Sequence, residues 1–195
     1  MSMKKLTASV LAVTLLVVGA CSMQKPATQA VTAAESALSA LKDDAAKYLP
    51  TELQSAESSL ASLKDSLGKG DYKAVMASAP ALMTSLAGLK TSVAGKLEEA
   101  KVAAGEWTSY ATDLPKMVEA IQSRVGMLGA AKKLPKGIDA AAFESAKSGL
   151  ESMQSTWTEA SAAFTGGNAI DAVAKAKSVK AKGEEVLKLL GMSQG

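Results

Sequence analysis

The sequence predicts an all-α chain, an elongated antiparallel bundle of about six helices with coiled-coil-type packing and two helical hairpins. Three observations carry this. Apolar residues recur at alternating steps of three and four through most of the chain beyond residue 30, which puts them on one side of a helix. No stretch alternates with the period of two that a half-buried strand requires, and the abundant Ala and Leu are strong helix formers. Short glycine-bearing junctions, Gly70-Asp71 and Gly166-Gly167-Asn168, separate periodic segments in the manner of antiparallel helix pairs. Aromatic residues make up only 4% of the chain, so its core must be built from Ala, Leu, Val and Met.

In chain order, Lys4 and Lys5 form a short positive head, and residues 6 to 20 form an apolar run ending in Gly19-Ala20, next to Cys21, the only cysteine. Fifteen helical residues span about 22 Å, short of the roughly 30 Å of a bilayer's hydrocarbon core, so the segment reads as a cleaved signal peptide and not as a permanent span. A lone cysteine has no intrachain disulfide partner, and in an oxidising compartment a free thiol calls for a chemical cap. Residues 21 to 28 contain Pro26 and show no periodicity, which predicts an extended tether ahead of a helical domain over residues 29 to 195.

Val31, Ala34, Leu38, Leu41, Ala45 and Tyr48 predict the first helix, stopped at Leu49-Pro50 because the proline ring disfavours helical geometry at the residue before it. Thr51-Glu52-Leu53-Gln54 fits a capping box and predicts a second helix striped by Leu53, Ala56, Leu60, Leu63 and Leu67. Asp71 is the expected cap of a third helix, with Val75, Leu82, Leu86, Leu89, Val93 and Leu97 on one face and a kink near Pro80. Ala74, Ala81, Gly88 and Gly95 repeat every seven residues in that helix. Each glycine costs about 1 kcal/mol of helix propensity relative to alanine, and a closely packed neighbour is the compensating reason.

The third helix is expected to reach Asp113 unless it breaks near Gly105 into two, with Leu114-Pro115 restarting the chain as a further, short helix lined by Met117, Ile121, Val125 and Leu128. Leu134-Pro135 and Gly137 mark a linker. Asp139 caps the fifth helix, whose stripe of Phe143, Ala146, Leu150, Met153, Trp157, Ala160 and Phe164 gathers most of the large aromatic area. Asn168 caps the sixth, which runs through Ile170, Val173, Ala176, Val179, Val186 and Leu190 to Gly191. The two hairpins look like degenerate copies, but unequal spacing between proline and hairpin glycine excludes a strict solenoid.

Val18-Gly19-Ala20-Cys21 resembles the lipobox of bacterial lipoproteins, in which an aliphatic residue and two small ones precede the acylated cysteine. The resemblance implies cleavage between Ala20 and Cys21, lipid attachment at Cys21 and membrane anchoring through the acyl chains. Ser22, at the sorting position, resembles the outer-membrane class, which implies a periplasm-facing protein. Tyr48-Leu49-Pro50-Thr51-Glu52-Leu53-Gln54-Ser55-Ala56-Glu57 with Gly70-Asp71-Tyr72 resembles a helical-hairpin segment of bacterial envelope proteins of unassigned function, and looks like the helix junction of tetratricopeptide repeats. That likeness implies fold only.

Of the 22 basic residues two lie in the head, leaving 20 against 19 acidic ones, so the expected mature chain is almost neutral and offers no footprint for nucleic acid. With no histidine and its one cysteine acylated, the chain is expected to be non-catalytic and to hold no metal or cofactor. Asp43-Asp44 and Glu98-Glu99, set among lysines, read as solvated, salt-bridged faces, as do Lys175, Lys177, Lys180, Lys182 and Lys188 beside Glu184 and Glu185. The expected role is a structural or protein-interaction module with a protein partner in the envelope. The alternative is a carrier binding a lipid or other apolar molecule between helices, lined by Trp107, Tyr110, Trp157 and Phe164.

Overall fold

The computed structural model describes residues 23–192, which form six helices and no strand. They are α1 over 23–39, α2 (Lys42–Tyr48), α3 (Pro50–Gly68), α4 (Tyr72–Ala130), α5 (Ala140–Thr165) and α6 (Ala169–Leu189). The signal segment 1–20, the Val18-Gly19-Ala20-Cys21 motif and Ser22 lie outside the described residues. The described residues fall into two compact units that meet in sequence at Lys96 and Leu97. Helix α4 contributes its first part to one unit and its second part to the other.

The first unit packs α1, α2, α3 and the N-terminal part of α4 around one apolar cluster. Most of its members are residues the periodicity selects: Val31, Ala34, Leu38 and Ala45, then Leu53, Ala56, Leu60 and Leu63, then Val75, Leu82, Leu86, Leu89 and Val93; Ala27 and Ala79 join them, Leu41 and Leu67 are only partly buried, and Leu97, expected on the same face of α4, is exposed. The second unit packs the C-terminal part of α4 against α5 and α6, with Leu114, Ile121, Met153, Val179, Val186 and Leu190 among its most deeply buried side chains.

Both hairpins use one device. After α3 the Gly70 N–H donates to the Leu67 carbonyl and the Asp71 N–H to the Ser66 carbonyl, while Gly70 takes a left-handed φ of +74°. Asp71 then accepts from the Ala74 N–H at 3.0 Å, so the residue that closes one helix opens the next. After α5, Gly167 (φ +78°) and Asn168 donate to Phe164 and Ala163, and Asn168 accepts from Asp171. A left-handed residue without a Cβ followed by a side-chain cap reverses the chain in the fewest residues, which brings the two apolar stripes face to face.

Four expectations are corrected. Residues 23–28 are not an extended tether: they are helical, and Ala27 is fully buried, because Ala27 continues the Val31 stripe one turn earlier. The first helix is interrupted at Ala40 and Leu41, after which Asp43 and Asp44 occupy the first turn of α2, where carboxylates meet the favourable end of the helix dipole. Thr51 forms no capping box. Helix α3 begins at Pro50 with Leu49 as an N-cap that makes no side-chain bond, since proline in the first turn has no donor to satisfy and a preset φ.

The fourth correction is the largest. Helix α4 continues from Tyr72 to Ala130 through both Pro80 and Pro115, so the expected third and fourth helices are one. Both prolines are exposed. The carbonyls four residues earlier, on Met76 and Ala111, lose their donor on a solvent-facing side where water replaces it, while the inward-facing ladder keeps its bonds.

Glycines in the second unit set helix spacing. A Cβ on Gly149 of α5 would collide with Val186 of α6, and one on Gly183 of α6 would collide with Met117 of α4 and meet Met153 at 2.9 Å. Val186 is β-branched and cannot swing aside. Gly88, mid-helix in α4, meets nothing within 4 Å. Replacing Gly149 with alanine is therefore expected to destabilise the second unit by about 1–3 kcal/mol despite the better helix former. Both tryptophans lie in that unit, so denaturant unfolding followed by tryptophan fluorescence reads it directly, and Gly88→Ala is expected to leave that curve unchanged.

Candidate functional site

The second unit brings together the four aromatic residues singled out above. Trp107 of α4 is 8% exposed and lies between two rings of α5: Trp157 at a centroid distance of 5.2 Å and an interplanar angle of 8°, and Phe164 at 4.7 Å and 10°. Trp157 and Phe164 are seven residues apart, a rise of about 10.5 Å. That gap is what one indole stacked on both sides fills. Tyr110, one turn beyond Trp107, packs half-buried against the same cluster. Both faces of Trp107 are thus covered by protein, and the rings stand at stacking distance with no room between them for a ligand.

Ion pairs tie the surface around this stack. Lys177 of α6 reaches Glu106 of α4 at 2.8 Å, and Lys175 of α6 reaches Glu159 of α5 at 2.9 Å. A side-chain hydrogen bond to Glu159 is the main cause that raises the Lys175 ammonium above the ordinary lysine value, with the charges of Asp171 and Glu159 adding to it. The hydrogen bond to Glu106 does the same for Lys177, against a smaller opposing effect of burial. Lys182 pairs with Glu185 one turn on, at 2.6 Å. Three of the five helix-six lysines are therefore matched by carboxylates, and Lys188 sits in the last turn of α6, where the helix dipole favours a cation.

The acidic pairs are surface features of the same kind. Asp43 is exposed, Asp44 half-buried, and Glu98 pairs with Lys101 at 2.9 Å. Among the described residues no three His, Cys, Asp or Glu side chains stand close enough to hold a metal ion, and no helix is long and apolar enough to cross a membrane.

Solvent-open grooves follow the helix seams. One of about 420 Å³ runs between α1 and α3 and is spanned by two ion pairs, Lys64 with Glu35 and Lys42 with Glu57. Two others, of about 320 and 360 Å³, follow the α3–α4 seam and are lined mainly by serine, alanine and glycine. Sequence reasoning selected the alanine and glycine positions on α4 but missed the serines of α3, whose signal was available: Ser55, Ser59, Ser62 and Ser66 step by four and three beside the core stripe.

Two outcomes test this geometry. Trp107→Ala removes the ring that fills the gap and is expected to cost about 3–5 kcal/mol of second-unit stability by denaturant titration, with Trp157 fluorescence as the remaining reporter. A lysine whose pKa is raised by folding stabilises fully below its unfolded value of about 10.4 and loses that contribution as pH rises through its higher folded value. The midpoint of thermal unfolding is therefore expected to fall above that pH, and to fall less in a Lys175→Met/Lys177→Met variant, which keeps the apolar stems.

A comparison with known proteins finds no matching family model, no matching curated protein and no matching solved structure.

Proposed function

We propose that the chain is a lipid-anchored envelope lipoprotein whose helical part acts as a non-catalytic structural or protein-interaction module. The observation that carries the reading is the run Val18-Gly19-Ala20-Cys21, placed after a positive head and an apolar segment too short to span a bilayer. Acylation gives the lone cysteine a chemical role. Two or three chains, each gaining about 0.8 kcal/mol per buried methylene, hold a protein on a membrane where one chain does not. Ser22 supports the outer membrane, with the helical part facing the periplasm.

The interaction role rests on what the surface offers. Charged groups near the aromatic stack are matched by opposite charges, the stack is closed on itself, and the remaining relief is a set of shallow helical grooves. Such a surface is equipped to meet another helical surface by shape, whereas proton transfer calls for a poised titratable group.

The anchor is tested by mass spectrometry of the full chain purified from membranes. The expected mature N-terminus is Cys21 carrying a diacylglyceryl thioether and an amide-linked acyl chain. An unmodified Cys21, or an N-terminus elsewhere, defeats the assignment. Cys21→Ser is expected to move the protein from the membrane fraction to the soluble fraction or leave it as uncleaved precursor.

A further inference from the structure

The fold leaves no spacer between the proposed anchor and the core of the first unit. Residues 23–28 belong to α1, and the Thr28 hydroxyl donates to the Gln24 carbonyl at 2.9 Å, one turn back. Ala27 is fully buried, and Val31 and Ala34 are buried after it, so α1 is packed into the unit from its second turn onward. In sequence only Ser22 stands between Cys21 and Met23, a reach of at most about 7 Å even when fully extended. An acylated Cys21 therefore gives the core no slack on which to rise from a bilayer.

The ion pairs Glu35 with Lys64 and Lys42 with Glu57 set α1 and α2 antiparallel to α3. Counted from Glu35 and Lys64, the start of α1 reaches about 12 Å past the last turn of α3, alongside the Gly70-Asp71 hairpin and the first turn of α4. Tyr72, the first residue of α4, packs half-buried against the same apolar cluster as Ala27. The end of the unit next to Cys21 is thus built from the first turn of α1 and the α3–α4 hairpin. The α2–α3 junction at Leu49 and Pro50 lies at the opposite end, across the 19 residues of α3, or about 28 Å.

We infer that the first unit docks end-on upon the phospholipid headgroup layer through the first turn of α1 and the α3–α4 hairpin. The inference rests on the anchor proposed above and makes the membrane surface itself the first partner of the module. The covalent tether supplies the effective concentration that keeps this end at the surface. Met23, exposed at the tip and two residues from the acylated cysteine, adds apolar area that the interface takes up. Charge does not decide the contact: Lys25, Lys69 and Lys73 at this end stand with Asp65 and Asp71, and Lys69 is paired with Asp65 at 2.6 Å. The outward side of α1, with Gln29, Thr32, Ala33 and Ser36 exposed, lacks the apolar face of a helix that lies in the interface.

The test uses the full acylated chain, purified from membranes and reconstituted into vesicles of phosphatidylethanolamine and phosphatidylglycerol that carry nitroxide on a fraction of the headgroups. With Cys21 capped, Lys69→Cys or Thr51→Cys supplies the thiol for a bimane label, and both positions are exposed. Quenching is expected at position 69, which is remote from the anchor in sequence, and none at position 51. A glycine-serine spacer of about ten residues inserted after Ser22, spanning about 17 Å on average, is expected to abolish the quenching with helicity unchanged. Raising salt to about 1 M, where charges are screened within about 3 Å, is expected to leave it in place. Equal quenching at both positions, as a unit lying flat gives, overturns the proposal, and so does none at position 69. Quenching that survives the spacer or is removed by salt also overturns it, because the short tether is then not its cause. Mass spectrometry of the same sample separates the two failures. An unmodified Cys21 defeats the anchor and the docking with it, whereas an acylated chain without the expected pattern defeats the docking alone.

Discussion

Everything in this protein depends on how closely its helices approach. A chain with so few aromatic residues cannot fill wide gaps, and its buried stripes are rich in alanine: Ala27, Ala34 and Ala45 in the first unit, Ala146, Ala160, Ala172 and Ala176 in the second. Alanine buries little area, so each helix pair gains enough only by drawing its backbones together and packing at interior density. The second unit shows the limit of this. Gly149 lets α6 bring Val186 against α5, and Gly183 lets Met117 and Met153 fill what would otherwise be a cleft. Met suits that place, being unbranched and adaptable. The aromatic stack is the complementary solution, a single large ring filling the one gap between Trp157 and Phe164.

Close approach also explains the junctions. Two helices can pack along their full stripes only if the connection between them is short and its polar groups are satisfied. At Gly70-Asp71 and Gly167-Asn168 the same few residues bond the last carbonyls of one helix and the first amides of the next. These junctions were legible in the sequence because the device is local: a glycine for the left-handed φ, then an Asp or Asn cap. The core stripes were legible for a similar reason, since a period of three and four is a property of neighbouring residues. Leu53, Ala56, Leu60 and Leu63, and Ala146, Leu150, Met153 and Ala160, are buried as their spacing required, while Trp157 on the second stripe is half-buried.

What was not legible turned on which side of a helix faces water. Pro115 read as a helix start because propensity weighs a proline without knowing its face. On the exposed side of α4 the lost bond falls where water replaces it, and the helix continues. Thr51 misled in the opposite way. Its local pattern fits a capping box, yet the helix already begins at Pro50, so Thr51 lies inside the first turn and cannot be its cap. Ala27 was lost inside a polar stretch, because one small residue does not make a visible period, although packing buries it completely. For the candidate site, the sequence gathered Trp157 and Phe164 on one stripe, but only tertiary contact places Trp107 between them and pairs Glu106 with Lys177.

Glycine makes the contrast between the two units most plainly, because it has the same intrinsic cost in every helix interior and differs only in what occupies the space it opens. At positions 149 and 183 that space holds side chains of the same chain, and the cost is offset by packing. At positions 88 and 95 it is open, on a stripe that keeps the coiled-coil step without a charged residue in it. A surface under no packing constraint drifts toward charged, long, helix-favouring residues, as the other exposed faces here have done with their lysines and glutamates. A stripe that instead stays small and neutral over six successive positions from Ser78 to Gly95, at steps of three and four, has the composition of a buried seam.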